Sequence, residues 1–170
     1  DNYYVIAQVA PAVRAALGEE FGNPIGTNVE GKIYRALKKM GFDEITDVNF
    51  AADVTIMEEG TELIGRIQDR LQGKEAHLPL FTSCSPGWIR YIERYYPEYL
   101  PHLSTAKSPQ QIQGALIKHI YADIINVPKE RIKVVSFMPC IAKKDEADRE
   151  QMKDKGVKDV DAVLTTREFA

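Results

Sequence analysis

Two cysteines hold most of the chemistry open to this chain. Cys84 stands in the run Thr82-Ser83-Cys84-Ser85-Pro86-Gly87-Trp88, and Cys140 in Met138-Pro139-Cys140. Each follows an apolar run and lies close to a proline, and Cys84 comes just before a segment of helical character. The free N–H groups and macrodipole of a helix N-terminus favour a thiolate, the form in which cysteine attacks or binds metal. A lone cysteine is more often a small buried hydrophobe, and position alone favours that reading slightly. Two thiols build no disulfide framework and close no four-ligand metal site unaided. Their low number suits a reducing compartment, so the chain is expected in the cytoplasm.

Carboxylates come next. Glu58, Glu59 and Glu62 form an acidic run, and Arg66 follows Glu62 by four residues. On a helix that spacing puts Glu62 and Arg66 on one face as an ion pair. A solvated helix face explains such a run, and so does a proton path, because partly buried carboxylates in a row can pass protons. His77, His102 and His119 share no ligand spacing. No GxGxxG or P-loop run supports nucleotide binding.

The hydrophobic pattern names the elements that would position these groups. Strands are expected at residues 3–9, 44–48, 79–82, 132–137 and 160–164. Helices are expected at 11–20, 29–40, 50–71, 88–95 and 109–124, with another starting at Thr166. Pro11 and Pro109 suit the first helical turn, where their missing N–H costs nothing. Asn28 and Ser108 are placed to cap helices, and Gly41 to end one. Ile56, Leu63, Ile67 and Leu71 recur at helical spacing, Trp88, Tyr95 and Tyr96 are expected in the core, and residues 143–155 read as a solvated helix or loop. Alternating strands and helices give an α/β class: a mainly parallel sheet flanked by helices. Ligands of such sheets bind at the carboxyl ends of strands, where both cysteines are expected.

Composition limits the alternatives. The 170 residues are 44% apolar and 28% charged, with a net charge of −3. That is enough apolar content for one sizeable core. It carries no basic patch for nucleic acid. No stretch of 18 or more apolar residues predicts a membrane span, and no basic stretch followed by an apolar one marks a signal peptide.

The cysteine runs resemble two signatures of the iron-only (FeFe) hydrogenases. Thr82-Ser83-Cys84-Ser85-Pro86-Gly87-Trp88 is similar to TSCCPxW, and Met138-Pro139-Cys140-Ile141-Ala142-Lys143-Lys144-Asp145-Glu146 to MPCxxKxxE. Lys107-Ser108-Pro109-Gln110-Gln111, Ala10-Pro11-Ala12-Val13-Arg14 and Asp53-Val54-Thr55-Ile56-Met57-Glu58-Glu59 resemble the same family. The resemblance implies reversible reduction of protons to H2 at a 4Fe–4S cubane joined to a di-iron unit that carries CO, cyanide and a dithiolate. It implies electron partners that are ferredoxin- or NADH-linked. By position, Cys84 becomes the proton shuttle and Cys140 a cubane ligand. Lys143 would hydrogen-bond a cyanide, Met138 and Pro139 would line the di-iron pocket, and Gln110 would lie near it. Glu59, Glu62, Arg66 and Ser104 fall on the family's proton path.

Ser85 stands where the family's second cysteine, a cubane ligand, is expected, and its oxygen is a harder donor than thiolate. The third cysteine signature and the ferredoxin-like cysteine runs do not occur in residues 1–170. The resemblance therefore implies the N-terminal half of a two-lobed catalytic domain, which by itself binds no complete cluster and is inactive. A hydrogenase-like iron–sulfur assembly or sensory protein is the alternative. Such relatives commonly lack the shuttle cysteine that this chain keeps.

Overall fold

The computed structural model describes residues 3–170. Its sheet grows from apolar runs buried on both faces, as a parallel sheet requires when helices cover both sides. The strands are β1 (Tyr4–Val9), β2 (Glu44–Asp47), β3 (Ile132–Met138), a two-residue hairpin of β4 (Lys153–Asp154) and β5 (Val157–Lys158), and β6 (Ala162–Thr165). The main sheet runs β2-β1-β3-β6 with every pairing parallel. Ile6, Ala7 and Val9 of β1 and Ile132, Val134 and Phe137 of β3 form the centre of the core. The α/β class expected from the sequence is the one observed.

Helices form where the caps and spacing allow. α1 (Pro11–Ala16) starts on Pro11 and tightens into a 3-10 turn, Leu17–Phe21. Before α2 (Glu30–Lys39), the Glu30 N–H donates to Asn28 Oδ1 at 2.9 Å. Past its end Gly41 adopts φ +94°, a left-handed conformation that costs glycine least. α3 (Asn49–Leu71) is the longest helix described. α4 (Pro86–Tyr95) follows the first cysteine run. α5 (Pro109–Leu116) continues through a π-helical turn, Ile117–Tyr121, into α6 (Ala122–Ile124). α7 (Ala142–Asp148) follows the second cysteine run, and α8 (Thr166–Phe169) is closed by a capping box between Thr165 and Glu168. No described helix is long and apolar enough to cross a membrane.

Several expectations need correction. Residues 79–82 form no strand of the sheet: Phe81 makes one parallel bridge to Leu103, through Phe81 N–H to His102 O and Ser104 N–H to Phe81 O. Cys84 therefore does not follow a sheet strand. Ser108 stands at the N-cap of α5, but its hydroxyl makes no cap bond there and donates to Glu146. The helix expected over 109–124 is present throughout, with a π-helical turn at Ile117–Tyr121 that the sequence reading did not expect. Residues 143–155 are not uniformly solvated, since Glu146 and Ala147 are buried. Trp88, Tyr95 and Tyr96 are outside the core, at 37%, 60% and 43% exposure, in a surface string of rings. Ile56, Leu63, Ile67 and Leu71 are likewise exposed, so the apolar stripe of α3 faces away from this sheet.

Candidate functional site

The chain leaves β3 at its carboxyl end through Met138, which is buried, into Pro139 and Cys140, which are exposed. The Lys143 backbone N–H donates back to Cys140 O at 3.1 Å, which starts α7 one residue after the cysteine turn. At the second residue of α7 the Lys143 ammonium donates to Cys84 O at 2.8 Å and to Glu146, one turn further on, at 3.0 and 3.1 Å. The two cysteine runs, far apart in sequence, are thereby tied together at one end of the sheet. An ammonium has three N–H groups. With one on Cys84 O and one shared by the two oxygens of Glu146, one remains for a ligand.

Glu146 is the anchor of this corner. Its side chain is 5% exposed and that of Lys143 12%. Its Oε2 also accepts from Ser108 Oγ at 2.8 Å and Gln110 Nε2 at 3.1 Å. A buried carboxylate needs such a set of donors to offset its lost hydration. Gln110 Nε2 donates to Lys143 O as well, at 3.1 Å. A cleft of about 280 Å³ opens beside the group, bordered by Ser83, Pro86, Ser104, Lys107, Ser108 and Glu146.

The acidic run on α3 forms a second, adjoining cluster. Glu62 and Arg66 pair at 2.6 Å, with side chains only 17% and 15% exposed. Glu62 Oε2 accepts from Ser104 Oγ at 2.8 Å and from the Thr105 N–H at 3.0 Å. Burial pushes the Glu62 carboxyl upward, but Ser104, Thr105 and Arg66 outweigh it and hold the pKa below the ordinary glutamate range. Arg66 also donates to the carbonyls of His77, Pro101 and Leu103, at 3.0, 3.1 and 2.8 Å, so it pins the 77–104 segment to α3. Glu59 is half-buried, and its Oε1 is buried with no hydrogen-bond partner in the chain. A buried oxygen left without a protein donor is costly in a structural position.

Cys84 and Ser85 stand between the two clusters in sequence and are both exposed. Ser85 occupies the N-cap position of α4, but its hydroxyl makes no cap bond. The structure thus gathers Cys84, Lys143, Gln110 and Glu146 on one side and Glu62, Arg66 and Ser104 on the other. Ser108, Glu146, Gln8 and Ser136 were missed as site residues by the sequence reading. The signal for the last two is a polar residue inside each of two otherwise apolar strands.

The comparisons decide the family. The family model for the iron only hydrogenase large subunit, C-terminal domain, matches residues 3–170. The chain belongs to the iron-only hydrogenase family. It is 52% identical to iron hydrogenase 1 of Clostridium pasteurianum over 98% of this chain and 28% of that protein. It is 50% identical to the periplasmic iron hydrogenase large subunit of Nitratidesulfovibrio vulgaris over 97% of this chain and 38% of that protein. Cytosolic iron-sulfur assembly component 3 of Pongo abelii is 38% identical over 96% of this chain and 35% of its own length. An apo FeFe hydrogenase of Chlamydomonas reinhardtii superposes with a TM-score of 0.93 at 40% identity, covering 98% of this chain and 41% of that one. Structures of the Chlamydomonas enzyme include variants at two glutamates three positions apart, the spacing of Glu59 and Glu62. The chain spans between about a quarter and two fifths of these relatives' lengths.

The hydrogenase cofactor fits this chain on one side only. Cys140 presents a thiol at the end of β3, and Lys143 keeps one N–H uncommitted. Among the described residues no three His, Cys, Asp or Glu side chains gather to hold a metal ion. The ligand set of a cubane, four cysteines, does not close here.

Proposed function

We propose that this chain is the proton-delivering, N-terminal part of an iron-only hydrogenase catalytic domain, working on protons and H2 in the full-length protein. The observation that carries this reading is the bond from Lys143 Nζ to Cys84 O, which joins both cysteine signatures at the carboxyl end of the parallel sheet. When bound, the 4Fe–4S and di-iron cluster supplies the electrons and the iron position at which protons are reduced. Cys140 would be its thiolate ligand from this chain, and Ser85 stands at a second ligand position with a harder oxygen. Lys143 offers its free N–H to a cyanide. Met138 and Pro139 would border the di-iron side, with Gln110 near it.

Cys84 would hold the proton beside the cluster. Behind it, Glu59, Ser104, Glu62 and Arg66 form the route to the surface. Ser104 can take a proton on one lone pair while donating its own to Glu62, at the 2.8 Å already formed. Ser104, Thr105 and Arg66 together hold Glu62 ionised and so keep it an acceptor. Electrons would come from ferredoxin- or NADH-linked domains or subunits. The low cysteine content supports a reducing compartment such as the cytoplasm.

The 38% identity to an iron–sulfur assembly component supports a second reading, a hydrogenase-like protein without H2 turnover. Retention of Cys84 and the higher identity to hydrogenases favour the enzyme. The test is H2 evolution from reduced viologen by the full-length protein, matured with its cluster. The enzyme reading expects turnover. A fully loaded cluster with none establishes the second reading.

A further inference from the structure

A polar pair lies where a parallel sheet should be driest. Gln8 of β1 and Ser136 of β3 are directly opposite in register, and both have no exposed surface. Gln8 Oε1 even makes no hydrogen bond in the chain. Apolar residues would be cheaper at both positions, because a buried amide oxygen left unpaired costs free energy that a hydrocarbon does not. A network that breaks the local rule at such a cost points to a task outside packing.

The direction of the hydrogen bonds identifies the task. Gln8 Nε2 donates to Ser136 Oγ and to Gln110 O, each at 3.0 Å. A hydroxyl has one hydrogen. With Gln8 filling a lone pair, Ser136 spends that hydrogen on Gln110 Oε1, at 3.0 Å. The Gln110 amide is thereby oriented, oxygen toward the sheet and NH2 toward Lys143 O and Glu146 Oε2, both at 3.1 Å. A flipped amide would set its oxygen against a carbonyl and a carboxylate. Glu146 in turn grips the Lys143 ammonium. Every donor from Gln8 to Gln110 points the same way, from the sheet interior to the carboxylate.

We propose that Gln8 and Ser136 are positioning residues: a one-way relay from Gln8 through Ser136 and Gln110 to Glu146 holds the Lys143 ammonium at the end of the sheet, with one N–H left for an anionic ligand. The relay stands on the geometry alone. Only the identity of the ligand, a cyanide of the cluster, rests on the hydrogenase reading.

The test has two arms in the full-length protein. In the cluster-free form, an acylating reagent labels lysines and mass spectrometry reads the rate at each one. Ser136→Ala should speed labelling of Lys143 about fivefold, the equivalent of one net hydrogen bond. The rate at exposed Lys74 should not change, and Ser136→Thr, which keeps the hydroxyl, should restore slow labelling at Lys143. Gln8→Met removes the first donor and should act in the same direction, so the relay remains testable if Ser136→Ala does not fold. An unchanged Lys143 rate in a folded variant overturns the proposal. In the loaded form, infrared spectroscopy reads the cyanide stretching bands. A shift in Ser136→Ala supports both the relay and the ligand. Faster labelling with unmoved bands supports the relay and overturns the placing of a cyanide at Lys143.

Discussion

Glu62 shows how much one side chain on α3 is asked to do. It accepts from Ser104, the Thr105 backbone and Arg66 at once, and each of these favours its charged form. Removing them together by Glu62→Ala should cost about 2 kcal/mol, since hydrogen bonds to a charged group exceed neutral ones. The pH dependence has a definite sign. A carboxyl held below its unfolded value stabilises the fold above about pH 4.3 and loses that contribution as pH falls through its folded value. Denaturant midpoints of parent and variant should therefore differ most near neutrality and converge in acid. A gap that stays constant down to pH 3 would show that the carboxylate is not held by these partners. The i,i+4 spacing made the Glu62–Arg66 pair legible in the sequence. The Ser104 contact, 42 residues away, entered only by resemblance, because no local pattern records it.

Elements were legible where periodicity and caps agree. Gly41 after α2 and Pro11 at the start of α1 sit where their chemistry places them, and Asn28 takes the Glu30 N–H from one residue before the N-cap, Val29. The misread segments share a cause: tertiary partners took over groups that local rules had assigned. Ser108 sits at the N-cap of α5, yet its hydroxyl is turned to Glu146, 38 residues away, and makes no cap bond. Residues 79–82 bonded to the 102–104 segment instead of the sheet. α5 carries one more constraint that its sequence barely hints at. A Cβ on Gly114 would lie 2.4 Å from Asp159 O and 2.9 Å from Val160 Cγ2, so helix and chain meet there with no room for a methyl group. Gly114→Ala improves helix propensity by about 1 kcal/mol. Overpacking against backbone should outweigh this and leave a net loss of about 2 kcal/mol. Thermal unfolding of the variant checks the sign, and a stabilised protein would mean that α5 can shift away from residue 159.

On the scale of the molecule, the sheet order β2-β1-β3-β6 puts the second cysteine run at the end of a central strand and leaves the first to be brought in by Lys143 and Arg66. The sequence pattern announced the α/β class and the parallel sheet. It did not announce that the stripe of α3 and the rings of α4 would face outward, because an apolar stripe says that a face is to be covered and not by what. With Cys84, Cys140 and Ser85 as its candidate iron donors, the 170-residue chain incubated alone with iron and sulfide should take up less than one cubane per chain. Stoichiometric 4Fe–4S absorbance with H2 evolution would refute that. The central claim is that Cys84 moves the proton while Cys140 holds the cluster, and a paired assay of iron content and H2 evolution on Cys84→Ala in the full-length protein tests it most directly. The account predicts iron content at the parent level with turnover almost abolished. Lost iron with an unchanged rate per remaining cluster would contradict it and make Cys84, beside Ser85, the ligand.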